Sequence, residues 1–367
     1  MRCIHIAPEF PPAVGGVADY ATILSRRLME RSDGTVDPAL MHAGSESASE
    51  IETDFPVVDL SGQTSAVVLA EAIEQLAADA NGRAIVLLEY SGYGYAARGA
   101  PCWLIRGLPK FVGAEIPLIT VFHELQSSGR IWESSFWLAP VQRWIGKQLL
   151  RKSHHAFANH QANAEQLREW ARTNKVSLQP IFSNVGEPDE RVPLEERACR
   201  AVMFCGRAEK EKIYDCTDQL ARLFEHRGID HLVDIGPPPS QLPDLDVRCD
   251  VLGIQPADAI SSWISQARLG LAHRRIDLMT KSGVVAAYLA HGVPPVILPH
   301  GTPSHPPALS ENMHYVRLGH AWRDSSVNWE RMSRNGHAWY QKHAHSSVVA
   351  EAVHHQMRTA HVAWSST

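Results

Sequence analysis

The stretch that decides the fold is residues 1–31, MRCIHIAPEFPPAVGGVADYATILSRRLMER. The apolar run at 2–7 predicts a strand, and Gly15-Gly16 opens an amphipathic stretch at 17–31 that predicts a helix. A glycine turn between a strand and a helix lets a ligand approach the backbone and directs free amide groups at it. We therefore expect Gly15 and Gly16 to bind phosphate or another anionic group. The pattern is not the dinucleotide fingerprint, which needs three spaced glycines.

Strand and helix patterns alternate along the rest of the chain. In the first half, the predicted strands are 2–7, 37–42, 84–89, 117–122, 155–158 and 179–182, and the predicted helices are 17–31, 64–80, 100–111, 136–152 and 161–173. In the second half, the strands are 201–207, 231–239, 246–253, 269–273 and 294–299, and the helices are 215–228, 260–270 and 282–292. Such alternation predicts the α/β class, with doubly wound parallel sheets covered on both faces.

A polar run punctuated by proline, GEPDERVPLEER at 186–197, predicts a linker. With 367 residues, the chain is long enough for two domains, each with its own core. We expect an N-terminal domain over 1–185, a linker over 186–198, a C-terminal domain over 199–335 and a long amphipathic helix within 336–367. Ligands of doubly wound sheets bind beyond the carboxyl ends of the strands, so we expect a site in a cleft between two facing domains.

Composition excludes several classes of protein. A net charge of −5 and a pI near 6.5 give no global field that would attract nucleic acid, so no such partner is predicted. The N-terminus has no signal-peptide pattern, and no apolar run reaches about 18 residues. The six cysteines form no CxxC pair, and the clustered histidines lack accompanying carboxylates. The sequence predicts a cytoplasmic protein with reduced thiols, no metal and no cofactor.

Four stretches resemble one known family. They are PEFPPAVGGVADY at 8–20, PLITVFHEL at 117–125, FCGRAEKEK at 204–212 and AAYLAHGVPPVILP at 286–299. Together they resemble the retaining glycosyltransferase family 4 of the GT-B superfamily, which includes bacterial polysaccharide and lipopolysaccharide transferases. The resemblance implies two facing Rossmann-like domains and a nucleotide-sugar donor. It also implies a last helix, within 336–367, that crosses back to the N-terminal domain.

The resemblance places the donor phosphates at Arg207 and Lys212, five residues apart after Gly206, with Lys210 as a competitor for Lys212. A nucleotide-sugar leaves as a nucleoside diphosphate, so negative charge builds on its phosphate during transfer. Arginine offers a planar fork to two phosphate oxygens, and lysine offers a point charge. The alternative is that these are ordinary surface residues of a charged loop.

One departure from the family concerns its pair of glutamates, which are eight residues apart. The matching positions here are Met279 and Ala287, and Asp277 is the nearest acid. The replacing stretch starts a helix, whose amides and dipole favour a diphosphate. The residues that we expect to contact phosphate or sugar there are Lys281, Ser282 and Gly283. For Ser282, a plain N-cap role is compatible with this contact.

The N-terminal domain is expected to hold the acceptor. His123, at a predicted strand end, is the candidate for contacting the reacting sugar, with a purely structural histidine as the alternative, and Glu124 could orient the acceptor. Asp19 either activates the acceptor or only places a favourable charge at a helix N-terminus. Glu9 is expected to line the cleft, and the resemblance brings Gly16 to the donor phosphates.

Residues 134–155, SSFWLAPVQRWIGKQLLRKSHH, mix aromatic and basic side chains. Such a helix can lie on an anionic membrane surface, here the inner face of the membrane, but a helix packed on the sheet with a solvated basic edge is the favoured interpretation.

The sequence as a whole predicts a metal-independent transferase that moves a sugar from a nucleotide-sugar to a glycan, lipid-linked or small-molecule acceptor. Retention rests on the resemblance. Because the glutamates are missing, a degenerate relative that binds nucleotide or glycan without turnover is the first alternative, and a binding protein or epimerase on a similar scaffold is the second.

Overall fold

The computed structural model describes residues 1–13, 15–45, 51–80, 83–108, 116–125, 134–172, 174–319 and 327–365. The chain divides into two compact units, Met1–Gln179 with Ser346–Thr367 and Pro180–His345. Each unit contains one parallel sheet whose strands alternate with helices. The α/β, doubly wound class predicted from the alternation is confirmed.

The first unit holds a seven-stranded parallel sheet. Its strands are β1 (Arg2–Ala7), β2 (Asp37–His42), β3 (Val57–Asp59), β4 (Ala84–Tyr90), β5 (Leu118–Phe122), β6 (His155–Ala158) and β7 (Val176–Leu178), in the order β3-β2-β1-β4-β5-β6-β7. All seven residues of β4, AIVLLEY, are buried, as expected where helices cover both faces of a parallel sheet. The helices are α1 (Gly16–Arg31), α2 (Ala66–Asp79), α3 (Gly92–Tyr95), α4 (Cys102–Gly107), α5 (Ser134–Lys152) and α6 (Gln161–Ala171).

The second unit holds a six-stranded parallel sheet. Its strands are β8 (Arg200–Phe204), β9 (His231–Ile235), β10 (Arg248–Gly253), β11 (Leu269–Arg274), β12 (Pro295–Pro299) and β13 (Val316–Arg317), in the order β10-β9-β8-β11-β12-β13. Its helices are α7 (Arg207–Tyr214), α8 (Thr217–Arg227), α9 (Ala257–Ser265), α10 (Gly283–Ala290) and α11 (Trp329–His343). Two 3-10 helices, Leu194–Glu196 and Ile276–Lys281, complete it.

The C-terminal stretch forms two helices where the sequence predicted one. α11 ends at His343, and α12 (Ser346–Ser365) begins after a two-residue break and belongs to the first unit. There α12 packs against α1, where Arg27 Nε donates to Ser346 Oγ at 2.9 Å and Arg31 pairs with Glu351 at 3.3 Å. Among the described residues, no helix has the length and apolar character needed to cross a bilayer.

The run 186–198, predicted as a linker, is part of the second unit. Leu194 is buried in the core of that unit. Arg197 is also buried, and its guanidinium donates to the carbonyl oxygens of Ala267 at 3.0 Å and His291 at 2.8 Å. The chain passes between the units at 179/180 and 345/346 instead. Proline and polar residues mark an irregular segment here, but buried hydrogen bonds tie that segment to its own unit.

The strand predicted at 179–182 is also wrong. The strand in this region is β7, and its ladder closes where the Gln179 amide donates to the Ala158 carbonyl at 2.8 Å. Pro180 has no amide hydrogen, so the ladder does not continue.

Candidate functional site

In each sheet the strand order reverses beside the first strand of the unit, between β1 and β4 in one and between β8 and β11 in the other. Ligands of open α/β sheets bind outside the carboxyl ends of the strands at such a reversal. Two of the residues predicted from the sequence fall at these places, because Glu9 follows β1 and Arg207 follows β8.

Arg207 is the first residue of α7, after the N-cap Gly206. Its Nε donates to the Pro238 carbonyl at 2.8 Å, and its side chain is exposed. A Cβ built on Gly206 would meet nothing within 4 Å, so open space lies beside the backbone at this strand end. Arg207 and the backbone at Gly206 are therefore accessible to a ligand.

Arg207 is the first residue of α7, and Lys212 lies in its last turn. Five residues along an α-helix correspond to a rotation of about 140°, so the two side chains leave α7 in different directions. The Lys212 side chain is 63% exposed, and its Nζ lies 3.5 Å from Asp215. Arg207 and Lys212 are thus both exposed along α7, and their joint contact with donor phosphates stays a prediction.

Lys210, between them, is completely buried and forms an ion pair with Asp234, which is also buried. Tyr214 donates a hydrogen bond to the other oxygen of Asp234 at 2.7 Å. A Cβ on Gly236 would lie 3.6 Å from Lys210 Nζ. Lys210 therefore belongs to the interior of the second unit, and it does not compete with Lys212 for a ligand.

Arg274 is a further candidate that no motif in the sequence marked. It ends β11 on the other side of the reversal from Arg207. Its Nε donates to Ser282 Oγ at 3.0 Å, and its guanidinium pairs with Glu209 of α7. Burial lowers its pKa from the usual arginine value. The signal that could have found it is a pair of arginines directly after an apolar strand, LGLAHRR at 269–275.

Ser282 is the N-cap of α10, and its Oγ accepts a hydrogen bond from the Val285 amide at 3.3 Å. The Ser282 hydroxyl therefore forms hydrogen bonds both with the start of α10 and with Arg274, which agrees with the N-cap role given for Ser282 above. Gly283 opens α10, and Lys281, immediately before Ser282, is half-buried. Met279 and Ala287, at the positions where the resemblance expects glutamates, are buried as well, so apolar side chains fill these positions.

Asp277 is the acid nearest in sequence to the positions where the resemblance expects glutamates. It holds the loop that follows β12 in place through hydrogen bonds. Its carboxylate accepts hydrogen bonds from Arg275 at 2.6 Å and from the backbone amide and hydroxyl of Ser304 at 3.0 and 2.9 Å. Although burial opposes ionisation, these bonds hold the pKa of Asp277 down at about 2. His300, in the same loop, packs on His273 with ring centroids 4.6 Å apart. Asp277 therefore supports the edge of the sheet through the loop that follows β12.

In the first unit, His123 follows β5 and belongs to a buried network. Its Nε2 lies 2.7 Å from one oxygen of Glu89, and His5 Nε2 lies 2.8 Å from the other. His5 Nδ1 lies 2.7 Å from Ser25 Oγ, and the Tyr20 ring stands edge-on to His123 at 5.1 Å. Burial favours a higher pKa for Glu89, but the hydrogen bonds from His123 and His5 outweigh it, so the pKa lies below the usual glutamate value.

At the start of α1, a carboxylate of the chain itself takes the place predicted for an anionic ligand. The backbone amides of Ala18 and Val17 act on the Glu9 carboxylate to lower its pKa. A Cβ on Gly15 would lie only 2.1 Å from Glu9 Oε1, whereas a Cβ on Gly16 would meet nothing within 4 Å. Burial raises the pKa of Glu9 above its usual value. Gly15 is therefore needed for the close approach of Glu9, and binding of an anionic ligand at Gly15 and Gly16 stays a prediction.

The two remaining candidates lie near this edge. Asp19 is in the first turn of α1, where a negative charge is favourable, and its charge also helps to raise the pKa of Glu9. Glu124 lines a small cavity of about 10 Å³ together with Tyr90 and Gln142. That volume holds about one water molecule. Contact of Asp19 or Glu124 with an acceptor stays a prediction.

The two glycines should differ in what an alanine does. We expect Gly15→Ala to lower the free energy of unfolding by about 1 kcal/mol, because the new Cβ displaces the carboxylate that caps α1. Gly16→Ala should leave stability unchanged or raise it by about 0.5 kcal/mol, because the position is helical and open. Urea unfolding of the two variants measures the difference. Equal effects of both substitutions would contradict the role given to Glu9.

No known family model matches the sequence, and no curated protein does. Solved structures do match. An alpha-glucosyltransferase (AGT) in complex with UDP is 12% identical with a TM-score of 0.59, over 97% of this chain and 99% of that one. An alpha-glucosyltransferase bound to UDP-glucose and DNA with an abasic site is 11% identical with a TM-score of 0.54, over 97% and 99%. The glycosyltransferase SnogD from Streptomyces nogalater is 14% identical with a TM-score of 0.50, over 97% and 99%. The chain therefore has the two-domain, Rossmann-like fold of the GT-B glycosyltransferases.

Proposed function

We propose that this protein transfers a sugar from a nucleotide-sugar to a glycan, lipid-linked or small-molecule acceptor. The observation that carries the proposal is the pair of arginines at the reversal of the second sheet. Arg207 follows β8 and Arg274 ends β11, so two guanidinium groups stand at the carboxyl ends of neighbouring strands. This is where open α/β sheets bind ligands, and guanidinium forks suit phosphate oxygens.

In this proposal the second unit stabilises the departing nucleoside diphosphate. As the bond to the sugar breaks, negative charge grows on the phosphate, and fixed cations near it lower the barrier. Arg274 is held by Ser282 and Glu209, so its guanidinium is preorganised. The start of α10 at Gly283 adds amide groups and a favourable dipole. Lys212 and Lys281 would add charge at longer range.

We propose that these cations work without a metal ion. Among the described residues, no three side chains of His, Cys, Asp or Glu are grouped as metal ligands. Charge neutralisation at the phosphate would then come from arginine, lysine and helix amides. We further propose that the first unit holds the acceptor near His123, and that transfer proceeds with retention, which rests on the family resemblance.

A second candidate is binding of nucleotide or glycan without turnover. It is favoured by Met279 and Ala287, which are buried and carry no carboxylate. A donor group that needs an acidic partner would find none at these two positions. The ionised Asp277 does not replace them, because its carboxylate is committed to Arg275 and Ser304.

Two partner assignments stay predictions. The solvent side of α5 exposes Arg143, Trp144, Lys147 and Arg151, while Ile145 and Leu149 are buried. The helix α5 therefore fits the interpretation of a helix packed on the sheet with a solvated basic edge. Contact of that edge with an anionic membrane is a further proposal. Nucleic acid is bound by one of the similar structures, but the net charge of −5 gives no support for it here.

The test is a screen of the full chain against uridine, guanosine, adenosine and thymidine diphosphate sugars. We expect one nucleoside diphosphate to raise the melting temperature, because a ligand of the native state stabilises it. The matching nucleotide-sugar should be hydrolysed slowly without acceptor, and hydrolysis should persist in excess EDTA. Binding with no release of nucleoside diphosphate would favour the second candidate. Loss of activity in EDTA, restored by one divalent ion, would overturn metal independence.

A further inference from the structure

We propose that Glu89 is a positioning residue that holds His123 with its Nδ1 free to accept a hydrogen bond from a substrate hydroxyl. The inference rests on the proposed function and extends it to a residue that no sequence motif marks. Glu89 lies in the middle of the apolar strand AIVLLEY, and its side chain is 0% exposed.

Strand register brings the three groups to one face of the sheet. His5 of β1 is paired with Leu87 of β4, and Glu89 lies two residues farther along β4. Glu89 is paired with Val121 of β5, and His123 lies two residues beyond it. Because side chains alternate between the faces with a period of two, His5, Glu89 and His123 point to the same side. The Ser25 hydroxyl of α1 reaches the far end of the row, at His5.

The hydrogen bonds determine which nitrogen of His123 carries hydrogen. An ionised carboxylate only accepts hydrogen bonds, and the low pKa of Glu89 keeps it ionised. Both imidazoles therefore donate from Nε2, one to each oxygen. A neutral His123 then has its lone pair on Nδ1, and Nδ1 has no hydrogen-bond partner within the part of the chain that is described. The ring keeps 9% of its surface exposed.

The cost of the network argues for a functional role. A buried carboxylate must be compensated by several hydrogen bonds, and an apolar side chain of similar size would serve the core as well or better. Here the charge is compensated by two imidazoles, and one of them, His123, lies at the carboxyl edge of the sheet, one strand beyond the reversal. A carboxylate behind a histidine fixes its tautomer and stabilises the ring once it takes up a proton.

The chemistry that follows involves one proton at one atom. A hydroxyl of the donor sugar or of the acceptor would donate to His123 Nδ1, and if the hydroxyl ionises, its proton passes to Nδ1 while the electron pair stays on oxygen. Glu89 keeps its charge and its bond to Nε2 throughout. The Tyr20 ring, edge-on to the imidazole, limits its rotation.

The first test needs no turnover, and a variant enters it only to assign the signal. The ¹⁵N NMR spectrum of histidine-labelled protein, assigned with His123→Gln, should show hydrogen on Nε2 and a bare Nδ1 for His123 near neutral pH. Hydrogen on Nδ1 in the neutral ring would overturn the proposal. This result is independent of whether any nucleotide-sugar is a substrate, so it separates a failure of this inference from a failure of the proposed function.

The second test is Glu89→Gln, which keeps the shape of the side chain but replaces one hydrogen-bond-accepting oxygen with an NH2 group that donates. We expect turnover to fall at least 50-fold while the KM for the nucleotide-sugar changes less than threefold, and the bare Nδ1 signal should be lost. Ser25→Ala is the matched control, because it keeps the Glu89–His123 bond, and it should retain activity within twofold.

The same variant tells which hydroxyl His123 binds. If Glu89→Gln loses both hydrolysis and transfer, the hydroxyl belongs to the donor, and if it loses transfer alone, the hydroxyl belongs to the acceptor. Turnover of Glu89→Gln within threefold of the unaltered protein would overturn the proposal.

Should Glu89→Gln fail to fold, His5→Asn provides the same comparison, since it removes one of the two donors and leaves His123 bonded. The expected result is partial loss, about 5- to 20-fold, with the His123 Nε2–H signal still present. Full activity in a folded His5→Asn protein together with hydrogen on Nδ1 of His123 would also overturn the assignment.

Discussion

Arg274→Ala is expected to lower the rate of sugar transfer by about 100- to 1000-fold, the usual cost of removing one preorganised donor from a developing negative charge. The guanidinium lies at the end of β11, bonded to Ser282 and paired with Glu209. Its removal takes away the phosphate partner and leaves Glu209 as an uncompensated negative charge at the same edge. Affinity for nucleoside diphosphate, measured by calorimetry, should fall with the rate.

The matched control is Arg275→Ala, one residue farther along. Arg275 is bonded to Asp277 and Ser304 and not to Ser282, so we expect nucleotide affinity to change less than fivefold. Arg274→Lys should recover only part of the lost rate, because an ammonium group lacks the two-pronged geometry of the guanidinium. Similar losses in Arg274→Ala and Arg275→Ala would show that the loop, rather than a specific phosphate contact, was disturbed.

The second large effect is on stability. Lys210→Met should lower the free energy of unfolding of the second unit by about 3–5 kcal/mol, because it leaves the buried Asp234 without its counter-ion. Lys212→Met should change stability by less than about 0.5 kcal/mol, since Lys212 is 63% exposed and its pairing with Asp215 is at the surface. Urea unfolding of both variants measures the contrast.

Removing both charges offers an internal check. Lys210→Met with Asp234→Leu should regain most of the lost stability, short by about 1–2 kcal/mol because the Tyr214 hydroxyl loses its acceptor. A cost below about 1 kcal/mol for Lys210→Met alone would show that Asp234 is solvated in the folded protein, against the burial described here.

The alternation of strands and helices could be predicted from the sequence because it depends on local patterns. Apolar runs such as AIVLLEY are long enough to mark a buried strand, and amphipathic periods mark the helices that follow. Errors arose where the local signal is weak. The strands β3 and β13 have three and two residues and no pattern of their own, and they form only because a neighbouring strand offers a ladder.

The place of a candidate residue in the fold could be predicted only where the local backbone decides it. Arg207 follows a strand and a glycine, so its position at the edge of the sheet could be inferred, whereas the pairing with Lys212 could not, because it depends on the start of α7. Glu9 was expected to line the cleft, and the close approach of its carboxylate to Gly15 could not be foreseen from spacing. Arg274 was passed over although it directly follows an apolar strand.

By itself, the sequence determined the α/β class and most of the succession of strands and helices, because these follow from periodicity and from glycine and proline positions. Only the tertiary structure decided which charges are buried. His5 and Glu89 are 84 residues apart, and Glu89 and His123 are 34 apart, yet their side chains share one hydrogen-bonded row. Ionisable groups are retained in an interior when partners from distant strands satisfy them, and no local pattern records which partners those are.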